Sequence, residues 1–293
     1  MLKKLRAVLI PTLLILFIQV ARADELTLYV YPSPGIDWSS PSTLAADTLA
    51  FGMTKKRSIG HVTVEVSCGG EKPFHILTGV SQVTNAESAK VLFLQGYGLG
   101  ILFYDFKGES ELESELAPEL QTRFESGKLS FLNYKINHKT CARLQTYVTE
   151  YLARGYDKHY GLTNRPLYGE GSGCSAFALS FLELAGIVEP EYSENWLKSL
   201  LVPRAIVGGP TTKQDVPIGW VLLWSRWAHK NEAHIPLSFW DPDLMHDWIK
   251  KTWENELSAP SGRYKLETRG NAVGLTLDRR KVKTPSGPIW LTN

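Results

Sequence analysis

The chain has 293 residues, of which 43% are hydrophobic and 21% charged, an ordinary globular composition with ample material for a core. It contains no internal repeat and no low-complexity tract, which excludes repeat and compositionally biased architectures. Its 32 basic and 30 acidic residues give a formal net charge of +2, which gives no indication of nucleic acid as a partner.

Residues 1–23 predict a secretory signal peptide. Basic residues precede an apolar run over 8–20, and Ala21-Arg22-Ala23 is a small-x-small cleavage site. The run is too short to span a bilayer comfortably, so we expect a periplasmic or secreted protein with no integral membrane segment after cleavage. Cleavage removes four of the 32 basic residues and no acidic one, which leaves 28 against 30 and a net charge of −2.

The elements are predicted from hydrophobic period and from Gly, Pro and Asn signals. In chain order they are a strand at 25–31, a short helix at 44–51, strands at 59–66 and 74–77, two strands within 91–106, an acidic surface helix at 109–126 bent or begun near Pro118, a strand at 129–136, helices at 139–154, 174–185, 192–201 and 243–257, and a hairpin at 264–268 and 273–278.

The strand at 59–66 and its return predict a hairpin that carries histidines. Val62, Val64 and Val66 share one face of the first strand, while His61 lies on the other face with Thr63 and Glu65. Gly69-Gly70 turns the chain, and the returning strand would place His75 beside the strand of His61.

Cys174 is the candidate nucleophile. A glycine-bracketed loop that ends at Gly173 runs directly into the helix, which Gly186 ends, so the thiol lies in the first helical turn. Unpaired backbone N–H groups and the helix dipole there favour the thiolate. The alternative is a buried structural cysteine.

The three cysteines bear on the same question, because an exported chain with three must leave at least one unpaired within itself. A disulfide between Cys68 and Cys141 would leave Cys174 free. In the alternative interpretation all three are reduced and buried, and the inward face of the helix at 139–154 already explains Cys141 by packing.

A thiolate nucleophile needs a base within hydrogen-bond reach and a third group that orients the base. Of the seven histidines, His61 fits best, because it faces away from its valine neighbours on a sheet edge. His75 is the candidate third residue, and Thr78 and Glu65 are weaker ones.

The motifs around these residues resemble a family. Gly-Cys-Ser-Ala-Phe followed by Leu-Ser-Phe-Leu-Glu-Leu-Ala-Gly-Ile is similar to the nucleophile helix of NlpC-type, papain-like cell-wall peptidases, and Gly60-His61-Val-Thr-Val-Glu-Val66 is similar to their histidine strand. Histidine precedes cysteine here, as in the circularly permuted branch that includes lecithin–retinol acyltransferase-like proteins. The segment Ile235–Leu244 resembles a segment that follows the cysteine helix in bacterial permuted proteins.

The resemblance implies an α+β, papain-like fold in which an antiparallel sheet packs against the nucleophile helix. It also implies a second histidine after the first, a role that His75 would fill, and a tyrosine near the oxyanion, which Tyr160 matches. The site differs from the family pattern at two positions. Gly173 stands where the permuted branch often has a polar residue, and Thr78 stands where some members have glutamate. We expect one domain over 24–293, with insertions at about 80–130 and 190–215.

Other site chemistries are weaker. The unpermuted order would pair Cys174 with His229 or His234, but Pro236 suits a central strand badly. Several side chains in the C-terminal part of the chain could bind a metal, but their spacing matches neither the HExxH motif nor paired CxxC motifs. Ser172 lacks the glycines of a serine-hydrolase elbow. The residues of the metal alternative are His229, Glu232, His234, Asp241 and His246.

The predicted function is therefore an exported cysteine hydrolase without cofactor or metal. Cys174 would attack the carbonyl of an amide bond, in cell-wall peptide by the resemblance, and His61 would move the proton. Helix N-terminal amides would stabilise the oxyanion, with Gly173 and Tyr160 beside it. The alternatives are a thiol esterase or acyltransferase acting on lipid acyl groups and an inactive binding protein on the same scaffold.

Overall fold

A computed structural model describes residues 24–52 and 59–292, so the predicted signal peptide lies outside the described residues. The described residues form a mixed α+β fold. Its strands are β1 (Glu25–Tyr31), β2 (His61–Cys68), β3 (Phe74–Thr78), β4 (Val80–Gln82), β5 (Phe106–Ser110), β6 (Ser130–Lys135), β7 (His159–Tyr160), β8 (Leu197–Pro203), β9 (His234–Trp240), β10 (Lys265–Arg269) and β11 (Ala272–Asp278).

Eight α-helices accompany the strands in this part of the chain. They are α1 (Pro41–Gly52), α2 (Asn85–Leu94), α3 (Glu113–Ser126), α4 (His138–Ala153), α5 (Cys174–Ala185), α6 (Pro190–Trp196), α7 (Ile218–Val221) and α8 (Pro242–Ser258), with a 3₁₀ helix at Leu99–Phe103. None of them combines the length and apolarity that a membrane span requires.

The central sheet has six strands in the order β10-β11-β6-β1-β2-β3. Its pairs are antiparallel except β11 with β6, which run parallel, so the expected antiparallel sheet is corrected at that one pair. Val62, Val64 and Val66 are fully buried on one face, where α4, α5 and α8 pack, and this confirms the predicted alternation of β2. Leu116 and Leu120 of α3 pack on the other face.

Smaller sheets extend this core beside the start of β2. β3 is followed through Gly79 by β4, which pairs with β5, and β5 pairs with β7. β8 and β9 form a two-stranded ribbon. The β4-β5-β7 sheet therefore lies next to the end of β2 that carries His61.

The prediction of two strands within 91–106 is wrong. The segment holds the end of α2 and a 3₁₀ helix, and only Phe106 begins a strand. The helix starts earlier than the apolar run, because the Thr84 side chain accepts a hydrogen bond from the Ala86 amide at 3.1 Å and caps it. Val91 and Leu92 are then its buried face rather than strand residues.

Two other boundaries differ from prediction. The helix expected at 192–201 ends at Trp196, because the following residues extend to pair with β9 as β8. The acidic helix begins at Glu113 and contains Pro118 inside it. Glu111 therefore precedes the helix and takes no part in its solvated face.

Candidate active site

Cys174 is the first residue of α5, as predicted. Gly173 at the N-cap is extended and Gly186 ends the helix in the left-handed conformation. The preceding loop needs glycine at Gly171, where φ is +80° and a Cβ would collide with the His159 carbonyl oxygen. The Ser172 amide donates to that carbonyl at 3.1 Å. These contacts hold the thiol at the start of the helix.

His61 is the first residue of β2, and the structure brings it to Cys174. Its imidazole lowers the pKa of the thiol. Both residues are buried, with 3% of His61 and 6% of Cys174 exposed. Two buried residues that are 113 positions apart in the chain therefore belong to one site.

Burial by itself raises the pKa of the Cys174 thiol, but other interactions outweigh it and hold the pKa below its usual value. The largest is the positive charge of His61, followed by its hydrogen bond, the backbone amide of Val62 and the side chain of Tyr160. The site therefore gives Cys174 a larger thiolate fraction than an unperturbed cysteine has.

The group that orients His61 is Glu111. His61 Nε2 lies 2.6 Å from Glu111 Oε2, and only 4% of either side chain is exposed. Nε2 is therefore the ring nitrogen that faces this carboxylate. A base held by a buried carboxylate is the arrangement that nucleophile activation requires.

The backbone around Glu111 is fixed by the turn after β3. The Glu111 amide donates to the Gly79 carbonyl at 2.9 Å, and Thr78 Oγ1 donates to the Glu111 carbonyl at 3.1 Å. A Cβ at Gly79 would collide with Glu111 Oε2 and come within 3.3 Å of His61 Nε2. Gly79 thus leaves the space that the carboxylate occupies.

Sequence reasoning missed Glu111. It is one of several glutamates between 109 and 119, and that pattern predicts a solvated helix face. Its contact with His61 depends on the pairing of β4 with β5 and on the small residue at Gly79. No local signal in the sequence distinguishes it from its neighbours.

His75 is not beside His61, which corrects the predicted third residue. In the hairpin register His75 lies opposite Ser67, six residues along β2 from His61, or about 20 Å. Its Nε2 lies 2.9 Å from Glu65 Oε1 instead. The Thr78 hydroxyl has the Gly79 and Glu111 carbonyls as acceptors, and Glu65 pairs with His75, so neither contacts the His61 ring in the described bonds.

The histidines of the unpermuted alternative are also elsewhere. His234 begins β9, six residues before Trp240, whose carbonyl accepts a hydrogen bond from Ser175 Oγ at 2.5 Å. The imidazole is therefore about 20 Å along the strand from the start of α5, and its Nδ1 faces the Glu232 carbonyl at 2.7 Å. His229 lies in the exposed loop before β9.

The ligands of the metal alternative do not converge either. His246 Nδ1 lies 2.9 Å from Ser130 Oγ, and burial lowers the His246 pKa to about 4. In the part of the chain that the structure describes, one group of close ligand atoms joins Asp24 to Cys68 and Cys141. Those sulfurs form a disulfide, so neither offers a thiolate.

Tyr160 does join the site. It ends β7 opposite Phe106, lines the cleft that His61 and Glu111 also line, and helps to lower the pKa of the Cys174 thiol. Gly173 adjoins the thiol on the chain, and the amide of Cys174 itself opens the helix. The site therefore contains a tyrosine and the N-terminal amides of a helix, the donor types that an oxyanion requires.

Two cavities meet at this site. A polar cleft of about 430 Å³ is lined by His61, Glu111 and Tyr160 together with β4 residues. His61 and Tyr160 are also the side chains that lower the pKa of the Cys174 thiol. An apolar pocket of about 170 Å³ adjoins the cleft. Both cavities are lined by Ile59, Gln82, Asn85 and Tyr160.

No protein-family model, no curated protein and no solved structure matches the chain. The resemblance to permuted NlpC-type proteins is therefore carried by the motif residues alone and belongs with the proposals below.

Proposed function

We propose that the protein is a cysteine hydrolase of the permuted papain-like kind, which transfers an acyl group to water. The observation that carries the proposal is the buried pair of His61 with the Glu111 carboxylate, at 2.6 Å, beside the Cys174 thiol whose pKa His61 lowers. Burial favours the neutral thiol, so keeping the pKa of a buried thiol low costs folding free energy. Such a cost is expected for a nucleophile rather than for a cysteine that only packs in the core.

The reaction uses these groups in two halves. The Cys174 thiolate attacks a carbonyl carbon, and the leaving amine or alcohol departs with the proton from His61, which leaves a thioester. Water then attacks the thioester, gives a proton to His61 and releases the carboxylic acid and the thiolate. Glu111 holds the ring, and the Cys174 amide and the Tyr160 hydroxyl are the candidate oxyanion donors.

Two classes of substrate are candidates, and they differ in the leaving group, which is an amine for an amide and an alcohol for an ester. An amide in cell-wall peptide follows from the motif resemblance and the predicted export. An acyl ester or a lipid acyl group is favoured by one observation, the apolar pocket that adjoins the polar cleft. An inactive binding protein is the alternative from another class, and the lowered thiol pKa argues against it.

The test is to trap the acyl-enzyme. Incubation with p-nitrophenyl butyrate, muropeptides and phospholipids in parallel should yield an acyl adduct on Cys174, detected by mass spectrometry, with at least one of them. Cys174→Ala should abolish turnover, whereas His75→Asn should leave it within about twofold because His75 lies outside the site. Turnover that survives Cys174→Ala would overturn the proposal.

A further inference from the structure

The residue two positions before the thiol is anchored on two sides. Ser172 is buried, and its amide donates a hydrogen bond to the His159 carbonyl of β7 at 3.1 Å. Its hydroxyl lies 3.0 Å from the Tyr151 hydroxyl of α4. Gly173, which follows, has no side chain, so Ser172 carries the last side chain before Cys174 that can fix the loop to the rest of the fold.

The packing of Tyr151 fixes the direction of its hydroxyl. The ring is buried, and its centroid lies 5.0 Å from that of Phe177 in α5 and 6.5 Å from that of Trp290. Trp290 Nε1 donates to Glu150 Oε2 at 2.5 Å, which holds the indole against α4. Burial raises the pKa of the Tyr151 hydroxyl, so the group stays protonated and can donate to Ser172.

We propose that Tyr151 and Ser172 position the nucleophile: their hydrogen bond holds the loop so that the Cys174 sulfur stays beside His61. The inference rests on the proposed function in taking Cys174 as the nucleophile. Neither residue lines the polar cleft, so both act through Cys174 and not on the substrate. A misplacement of about 1 Å in a reacting group can cost about a hundredfold in rate, so an anchor two residues from the sulfur matters to the reaction.

A second tyrosine–serine pair joins the same part of the fold and provides a matched control. Tyr147 precedes Tyr151 by one turn of α4, and its hydroxyl lies 2.7 Å from Ser180 Oγ of α5. Both members are buried, as in the first pair. Ser180 follows Cys174 by six residues, about 9 Å along the helix. The second pair therefore has the chemistry and burial of the first but lies away from the start of α5.

Alkylation of Cys174 by iodoacetamide measures this positioning without a substrate. Tyr151→Phe and Ser172→Ala each remove the bond, so the sulfur should lie less closely beside His61 and the alkylation profile should move to higher pH. We expect the rate at pH 7 to fall at least about threefold, the change that about half a pKa unit produces. The double variant should fall no further than either single variant, because all three lack the same bond. Tyr147→Phe should keep the parental profile.

Stability measurements separate positioning from a purely structural role. Tyr151→Phe and Tyr147→Phe each leave a buried serine hydroxyl without its tyrosine partner, so their unfolding midpoints in urea should fall by similar amounts. Equal circular dichroism spectra establish that each variant is folded. Two variants with similar stability and different alkylation profiles assign the difference to the position of the thiol.

Two outcomes would overturn the proposal: parental alkylation profiles in Tyr151→Phe and Ser172→Ala, or an equal shift in Tyr147→Phe, which would show a general effect of the α4–α5 contact. Turnover of p-nitrophenyl acetate is measured in the same proteins. In Tyr151→Phe, kcat should fall at least about tenfold while KM stays within about twofold, because the cleft is unchanged. A parent that turns over no ester or amide, with the alkylation shifts as expected, would contradict the proposed function and leave the positioning of Cys174 intact.

Discussion

At the scale of single residues, the site depends on one competition, between burial of the Cys174 thiol and its contact with His61. Burial favours the neutral thiol, and the charge and hydrogen bond of His61 favour the thiolate more strongly. The same position without His61 would therefore hold an inert cysteine. Sequence reasoning identified both residues, because a glycine loop before a helix and a histidine opposite a valine face are local patterns.

His61→Asn should raise the Cys174 pKa, since burial then acts with little opposition. We expect alkylation by iodoacetamide at pH 7 to fall at least about tenfold, because one pKa unit changes the thiolate fraction tenfold. In the parent the lowered pKa should place the alkylation profile at lower pH than in the variant. In the variant the rate should rise only above pH 8.5, roughly the pKa of a free cysteine. Equal profiles would contradict the assignment.

Glu111→Gln keeps the volume of the side chain but removes its charge, so the imidazolium of His61 loses its stabilising partner. We expect the acylation rate of Cys174 to fall about a hundredfold, within the range of general acid–base effects. The pH profile of alkylation should move upwards as well, a change that a merely structural role would not produce. Glu111→Asp should restore part of both.

The matched control is the second His–Glu pair of the sheet, His75 with Glu65. Glu65→Gln makes the same chemical change in a partly buried pair about four residues along β2 from His61. It should leave the acylation rate within about twofold. A similar loss in both variants would show a general effect of charge removal from the sheet.

At the scale of elements, the turn from β3 to β4 determines which carboxylate reaches His61. β3 stops at Thr78, and the chain leaves the central sheet through Gly79 to form the β4-β5 pair. This departure uncovers the outer edge of β2 beside His61 and lets Glu111 enter there. The hairpin of β2 and β3 was predicted, but the register that separates His75 from His61 was not.

Gly79→Ala tests the turn. The added Cβ meets the end of the Glu111 side chain, which moves more easily than backbone, so the carboxylate should leave His61. We expect acylation of Cys174 to fall at least about tenfold with little loss of folding stability. Gly287→Ala is the control, because nothing lies within 4 Å of a Cβ there. An unchanged rate in Gly79→Ala would contradict the role of Glu111 as the orienting group.

At the scale of the whole molecule, the three cysteines separate into two kinds. Cys68 at the end of β2 and Cys141 in α4 form a disulfide with a Cα–Cα distance of 5.8 Å, and Cys174 is free and buried. The bond ties the central sheet to the helix layer that also contains α5. A stable disulfide agrees with the predicted export, since such bonds persist in oxidising compartments.

Removing the bond in Cys68→Ser/Cys141→Ser should lower the free energy of unfolding by about 4 kcal/mol, the chain-entropy value for a loop of 73 residues. Urea denaturation followed by tryptophan fluorescence measures the change. Cys174 should still be alkylated in the folded variant, because His61 and Glu111 do not contact the bond. Titration of the parent with a thiol reagent in urea should count one free thiol; three would contradict the disulfide.

The sequence by itself determined the features that depend on short-range patterns. Helix capping, glycine turns and the alternation of β2 placed Cys174 at a helix start and His61 on a strand, and left Cys174 as the free thiol if the other two pair. The tertiary structure decided the third residue. Glu111 lies 50 residues from His61, and only the departure of the chain at Gly79 and the pairing of β4 with β5 bring its carboxylate to the ring. Contacts of this kind depend on the register between distant strands, and a one-residue shift of register would turn Glu111 away.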